Sequence, residues 1–300
     1  VATWVNKHNL PAPLVAAIKN DRYVKVGNIS VTGLISPPRK RVLEKRNWNR
    51  ITIDVADEVY RVLGQGVHAV LERSATANGI SEKRMTAEVN GWIVSGQPDW
   101  YESHVIDGGV LHDYKLTGTF QAQREEKSDW ERQLNIYAWF YRLNGVQVDK
   151  AFICAILRDW KRSQAKRDPT YPQSGVKMIE VPLWPQEQVQ AFVEERVKLH
   201  QQAEVLGDAE LPNCTQEERW QQPAQHAVIK GDNKRAFRVY DTFEEADNML
   251  KIIESSGGKG RIQYRPAEAI RCEGYCKAAP WCSQRLAEIP MGLESVSNIK

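Results

Sequence analysis

The sequence predicts an α/β protein, and three observations predict it. Short strand-like apolar runs alternate with longer runs whose apolar residues recur at helical spacing. Glycine, proline and asparagine punctuate the joins between them. Two of the strand-like runs lead into acidic residues, Asp99 and Asp113, so two neighbouring strands would bring both carboxylates to one side of a sheet.

The elements follow in order. Residues 1–28 read as a polar, helical lead-in, 29–213 as the core, and 214–300 as a small insert with a cysteine-bearing tail. Val31 to Arg39, with Pro37-Pro38, reads as a turn that opens a basic helix. Ile53 to Ser74 carries Val55, Val59, Val62, Leu63, Val67, Val70 and Leu71 at helical spacing. Met85 to Glu102 reads as a hairpin turning at Asn90-Gly91, a pair suited to a tight turn with positive φ. Gly109 to Leu116 is the next strand, Trp130 to Leu143 a helix, and Ala151 to Leu157 a buried strand. Arg158 to Gly175, polar and broken by Pro169 and Pro172, reads as a mobile loop. Val176 to Leu183 is a strand and Pro185 to Leu206 a long amphipathic helix. After Cys214 come two strands around a Gly-Asp-Asn turn, a helix from Phe243 to Glu254 capped by Thr242 and Glu245, and a returning strand at Arg261–Tyr264, together a ββαβ insert.

At 300 residues with 42% hydrophobic and 26% charged content, the composition is that of an ordinary globular chain. No apolar stretch approaches the ~20 residues of a membrane span, and the N-terminal residues lack a basic-then-apolar signal, so a cytoplasmic location without membrane contact is expected. A net charge of +3 identifies no partner by itself, but its distribution is uneven. Arg39, Lys40, Arg41, Lys45, Arg46 and Arg50 face the single acid Glu44, and Arg158, Lys161, Arg162, Lys166 and Arg167 form a second run. Either run is a solvated face or a phosphate contact.

Chemistry concentrates at Gly96-Gln97-Pro98-Asp99 and Asp113-Tyr114-Lys115. Aspartates are hard oxygen ligands for Mg2+ or Mn2+, and a lysine beside them can position a water for attack on phosphorus. An acid-x-Lys match is weak alone and occurs three times, at Glu125-Glu126-Lys127, Asp232-Asn233-Lys234 and Asp113-Tyr114-Lys115. Only the last ends a strand-like run that follows another run ending in an acid. Upstream, Gly64-Gln65-Gly66-Val67-His68 puts an imidazole on the first long helix with Glu72 one turn on. An isolated histidine of this kind is more often a half-buried packing residue. Gln133 and Tyr137, four apart, share a face of the later helix, where plain packing is the simpler reading.

In the order Gly-x-x-x-His, Gly-x-x-Asp, Asp-x-Lys, Gln-x-x-x-Tyr, the chain from about Ser30 to Trp184 resembles the RecB-like branch of the P-D-(D/E)-x-K nuclease superfamily. That branch includes the AddB nuclease domain, CRISPR adaptation exonucleases and phage exonucleases. The resemblance implies a restriction-endonuclease-like core with a mixed sheet flanked by helices. It implies that His68, Asp99, Asp113 and the Tyr114 carbonyl hold Mg2+ or Mn2+, that Lys115 orients the water, and that Gln133 and Tyr137 shape the site. The expected activity is a DNA exonuclease, of phage or bacterial type, acting alone or beside a recombinase, annealing protein or helicase. Arg39, Lys40, Arg41, Lys45 and Arg46 would grip the DNA backbone, and Trp48 would stack on a frayed base or pack in the core. Two rivals remain: a non-catalytic nucleic-acid-binding module, and a restriction-type endonuclease.

Five cysteines complete the picture. Cys154, inside an apolar run, reads as a small buried hydrophobe. Cys214, Cys272, Cys276 and Cys282 sit in polar, turn-rich surroundings and suit tetrahedral zinc or an iron–sulfur cluster as a structural staple of the C-terminal tail. Relatives in the resembled branch place one cysteine far upstream, where this chain has Ser36-Pro37-Pro38, so Cys214 is the expected replacement. The resemblance favours a 4Fe-4S cluster over Zn2+.

Overall fold

The computed structural model describes residues 1–20, 25–104, 108–124 and 128–288; Glu125-Glu126-Lys127 lies outside the described residues. The chain divides into two units, Val1–Arg41 with Lys45–Leu206, and Val42–Glu44 with Gly207–Lys300.

In chain order the elements begin with β1 (Thr3–Val5), α1 (Ala12–Lys19), β2 (Ile29–Ser30), α2 (Val31–Ile35) and α3 (Pro38–Arg46). Next come β3 (Thr52–Asp54), α4 (Val59–Arg73), β4 (Gly79–Ser81), β5 (Met85–Val89), β6 (Trp92–Gly96), β7 (Trp100–His104) and β8 (Gly108–Thr117). The first unit closes with α5 (Thr119–Gln123), α6 (Ser128–Leu143), β9 (Lys150–Leu157), α7 (Arg162–Ala165), β10 (Val176–Glu180) and α8 (Gln186–Val205). It is a mixed α/β fold around a central sheet of order β10-β9-β8-β7-β4. Within that sheet β8 and β9 run parallel and the other pairs antiparallel.

The parallel pair needs a long crossover, and α5 and α6 supply it. Nine consecutive residues of α6, Gln133 to Tyr141, are buried, because the helix packs between the sheet and α8. Along β9 the buried residues Ala151, Ile153, Ala155 and Leu157 alternate with partly exposed ones, as a period-2 strand requires. Leu111, Ile136, Phe140, Ile153, Val189 and Val193 join in one core, where each large apolar side chain contributes about 1.5–3 kcal/mol by burial. Asn135, fully buried, donates to the carbonyls of Glu131 and Pro182 and accepts from Trp184 N–H, which ties α6 to the segment after β10.

The hairpin at Asn90-Gly91 forms as expected, with φ of 48° and 74°. It stops sooner than the sequence suggested. β6 joins a separate sheet of order β2-β6-β5, and β7 leaves to pair with β8. Asp99 therefore opens β7 instead of ending β6, and Asp113 lies within β8 instead of at its end. Gly96 permits the departure: a Cβ there would stand 2.7 Å from Tyr137 Cε1 on α6. The lead-in is also more structured than expected, since β1 pairs in parallel with β3.

Arg158 to Gly175 is a built segment. Trp160 Nε1–H donates to Pro172 O at 2.7 Å, Lys161 N–H to the Tyr171 hydroxyl at 3.1 Å, and Thr170 N–H to Asp168 Oδ1 at 2.9 Å. Proline and charge predicted mobility, and side-chain-to-backbone bonds supplied the order instead.

The second unit contains β11 (Gln221–Gln222), β12 (Gln225–Lys230), β13 (Arg238–Tyr240), α9 (Phe243–Ser255), β14 (Gly260–Arg265), β15 (Glu268–Ala269), α10 (Ile270–Gly274) and α11 (Ser283–Leu286). The ββαβ order is as read, with sheet order β13-β12-β14 and α9 packed on it through Val228, Ala246 and Ile253. Thr242 caps α9 by accepting from Glu245 N–H at 3.3 Å.

Candidate metal centre

Three elements of the first unit carry the site. Helix α4 presents His68, the turn after β4 presents Glu82, and the entry to β7 presents Asp99. His68 Nδ1 lies 3.2 Å from Glu82 Oε1 and 3.4 Å from Asp99 Oδ1. Ligand atoms of these three residues all fall within 4.8 Å of one another, and among the described residues this is the one such group of three or more His, Cys, Asp or Glu.

Register places the rest. Trp100 pairs with His112 across β7 and β8, so Asp99 stands opposite Asp113. Asp99 Oδ2 accepts from Tyr114 N–H at 2.7 Å, which fixes the carboxylate against the neighbouring strand. On the face of β8 that Asp113 and Lys115 share, Lys115 Nζ reaches Asp113 Oδ2 at 2.7 Å and donates to Gln133 Oε1 at 3.0 Å. Gln133 in turn donates to the Tyr137 hydroxyl at 2.9 Å. The Lys115–Asp113 approach is an ion pair without hydrogen-bond alignment, so the buried Asp113 Oδ2 has no hydrogen-bond partner. Behind Glu82, Gln97 Nε2–H donates to Glu82 Oε2 at 2.7 Å, and Arg84 holds Gln97 from the other side.

The electrostatics are those of anions crowded out of water. Burial and then the Asp113 charge push the Asp99 carboxyl up to about 7, against His68, the Tyr114 N–H and Lys115. The hydrogen bond that His68 donates to the Glu82 carboxylate leads in raising His68, and Asp99 and Asp113 add to it, while burial opposes. Burial, with Asp113 nearby, raises the Tyr137 phenol, which therefore stays protonated at neutral pH. Buried carboxylates facing one imidazole fit a hard divalent cation: it would relieve the repulsion that burial creates.

The expected site residues are distributed as follows. His68 and Asp99 meet directly, while Asp113, Lys115, Gln133 and Tyr137 form a connected chain beside them. Asp113 lies outside the tight group of three, and Glu82, which sequence reading missed, lies inside it. Glu82 left one local trace, a φ of 50° that non-glycine residues rarely adopt. Its proximity to Asp99 depends on the pairing of β4 with β7, which no local pattern reveals.

The basic helix is engaged within its own unit. Arg39 is buried, Arg41 and Lys45 pair with Glu204 at 2.8 and 3.1 Å, and Arg46 donates to the Glu204 and Leu206 carbonyls at 3.1 and 2.7 Å. Of the residues expected to grip a DNA backbone, Arg39 is buried and Lys40 and Arg41 are partly covered, while Lys45 and Arg46 stay exposed. Trp48 is 43% exposed, so it is not a core residue.

The cysteine expectation is corrected. Cys214, Cys272, Cys276 and Cys282 do not form a group whose ligand atoms close around one point, and the metal-compatible group is the His68, Glu82 and Asp99 set. Neither a 4Fe-4S cluster nor Zn2+ is supported at these thiols. Burial first, then Glu218 and the other three thiols, push Cys214 up to about 12. Polar bonds hold the tail instead. Gln284 accepts from Cys214 N–H at 2.8 Å and donates to Cys214 O at 2.9 Å, and Arg219 pairs with Glu288 through both guanidinium nitrogens. Cys154 is half-buried on the less covered face of β9.

No family model matches the chain. No curated protein matches it either. Among solved structures, one described as SSO0001 is 18% identical with a TM-score of 0.43, covering 62% of this chain and 84% of that one. Another, from Eubacterium rectale and provisionally described as an exonuclease, is 16% identical with a TM-score of 0.31, covering 58% of this chain and 66% of that one. Both scores are too low to carry an argument, so the functional reading rests on the geometry of the site. Among the described residues, no helix is long and apolar enough to cross a membrane.

Proposed function

We propose that the chain is a divalent-metal-dependent DNA exonuclease built on a restriction-endonuclease-like core. The observation that carries this reading is the convergence of His68, Glu82 and Asp99 on one point, beside a buried Asp113 and its lysine. Those three residues with Asp113 and the Tyr114 carbonyl would hold Mg2+ or Mn2+, and the imidazole tilts the preference toward Mn2+. When bound, the cation neutralises charge growing on the phosphate and acidifies the attacking water.

The protein's own groups do the positioning. Lys115, fixed between Asp113 and Gln133, would orient the attacking water and offset charge developing there. Tyr137 stays protonated and orients the Gln133 amide through their hydrogen bond. Gln97 and Arg84 keep Glu82 turned toward His68. Burial of Asp99 and Asp113 keeps bulk water from screening these charges.

The test offers purified protein end-labelled linear DNA and closed circular DNA, with and without Mn2+. Mn2+-dependent degradation confined to linear DNA is expected, and Asp113→Ala should abolish it. Cutting of circles would make the protein an endonuclease, and cleavage surviving in Asp113→Ala would overturn the site.

A further inference from the structure

The ββαβ body of the second unit plays no part in the metal centre, yet cations gather at one end of its sheet. The loop joining β12 to β13 carries Lys234 and Arg235, with Asp232 its one acid, and Lys230 and Arg238 flank it at the ends of the two strands. The strand that returns beside it adds Lys259 and Arg261, because Lys230 pairs with Gly260 at the head of β14. Acids Asp241, Glu244 and Glu245 lie at the opposite end, where Tyr240 pairs with His226 and α9 begins, together with Arg265 opposite Gln225.

The loop is also held in shape. Gly231 N–H donates to Lys259 O at 2.7 Å, and Arg261 donates to the Gly231 carbonyl at 2.8 Å and the Asn233 carbonyl at 3.5 Å. Phe237, 52% exposed, stands at its edge with Lys230 Nζ 3.5 Å from the ring centroid. Lys234 and Arg235 are exposed and meet no acid among the described residues. A preformed loop with clustered cations and an exposed ring matches a single nucleic-acid strand: cations track phosphates, and an aromatic face stacks on any base.

We infer that the β12–β13 loop is a sequence-independent binding site for single-stranded DNA, separate from the metal centre. Lys234 and Arg235 contact phosphates and Phe237 stacks on a base. The acid-x-Lys match at Asp232-Asn233-Lys234, which has no part in the metal centre, belongs to this surface.

The experiment measures fluorescence anisotropy of a labelled oligothymidylate with the full chain in EDTA, so that no cleavage intervenes and the result is independent of the nuclease reading. Lys234→Ala/Arg235→Ala should weaken binding about tenfold and make the slope of log affinity against log salt shallower by about 1.4, at about 0.7 per lost phosphate contact. Phe237→Ala should weaken binding without changing that slope, and Lys251→Ala, a lysine already paired with Asp247, should change neither. Equal thermal midpoints for all variants keep the comparison clean. Unchanged affinity in the double variant overturns the inference, as does binding of the wild type to phosphatidylglycerol vesicles but not to the oligonucleotide.

Discussion

His68, Glu82 and Asp99 in one unit and the four cysteines in the other are both sets that metals favour, and they end differently. The first set crowds buried anions around an imidazole and leaves Asp113 Oδ2 without a hydrogen bond. The second has its surroundings tied off by neutral and paired bonds, Gln284 on the Cys214 backbone and Arg219 on Glu288. Residue type and spacing suit a metal in both. What separates them is uncompensated charge: a cation relieves something in the first set and nothing comparable in the second.

The sharpest way to break that contrast is to split catalysis from binding inside the first set. Lys115→Ala should lower cleavage about 1,000-fold while Mn2+ affinity, measured by calorimetry, stays within about threefold. Loss of both together would make Lys115 a structural support. Glu82→Gln should do the reverse first, weakening Mn2+ by about tenfold to 100-fold, or about 1.4–2.7 kcal/mol. An unchanged affinity would remove Glu82 from the ligand set.

His200 asks whether an orphaned buried atom is enough to mark a site. It is fully enclosed, bonded through Nε2 to Leu34 O at 3.0 Å, with Nδ1 unpartnered. Burial first, with Arg196 and Arg41 nearby, lowers its pKa from 6.5 to about 4. The folded state therefore binds fewer protons than the unfolded one between those values, and stability is lost as pH falls through that window. Asp99, raised to about 7, acts with the opposite sign over the same range, so the His200 contribution of about 3 kcal/mol is read as the difference in urea midpoints between the wild type and His200→Gln across that window. Parallel pH profiles for the two would contradict this. The smallest expected effect is in the tail: Gln284→Ala should cost about 1–2 kcal/mol for two hydrogen bonds. A much larger loss would mean that more than polar bonding secures Cys214.

How much of this was legible depends on the range of the interactions. Asp99, Asp113 and Lys115 were visible because a short motif on strand-like runs encodes them. The helix cap at Thr242 and the turn at Asn90-Gly91 were visible for the same local reason. Glu82 was not, because its role arises from β4 meeting β7. The ion pairs of the basic helix were not legible either, because Glu204, its partner, lies about 160 residues away in sequence, as the 159-residue separation of the Lys45–Glu204 bond shows. Asn135 had no local signature either, since two of its bonds reach Pro182 and Trp184.

The pairing of Trp100 with His112 has one more effect. Side chains alternate along a strand, and β8 is held by β9 on its other side, so sliding β7 past β8 by a single residue would turn Asp99 away from Asp113 and part it from the Tyr114 amide. No gradual misalignment lies between those arrangements. A population of molecules with faulty strand pairing would thus contain fully competent and fully inert members, and specific activity would count the correctly aligned fraction.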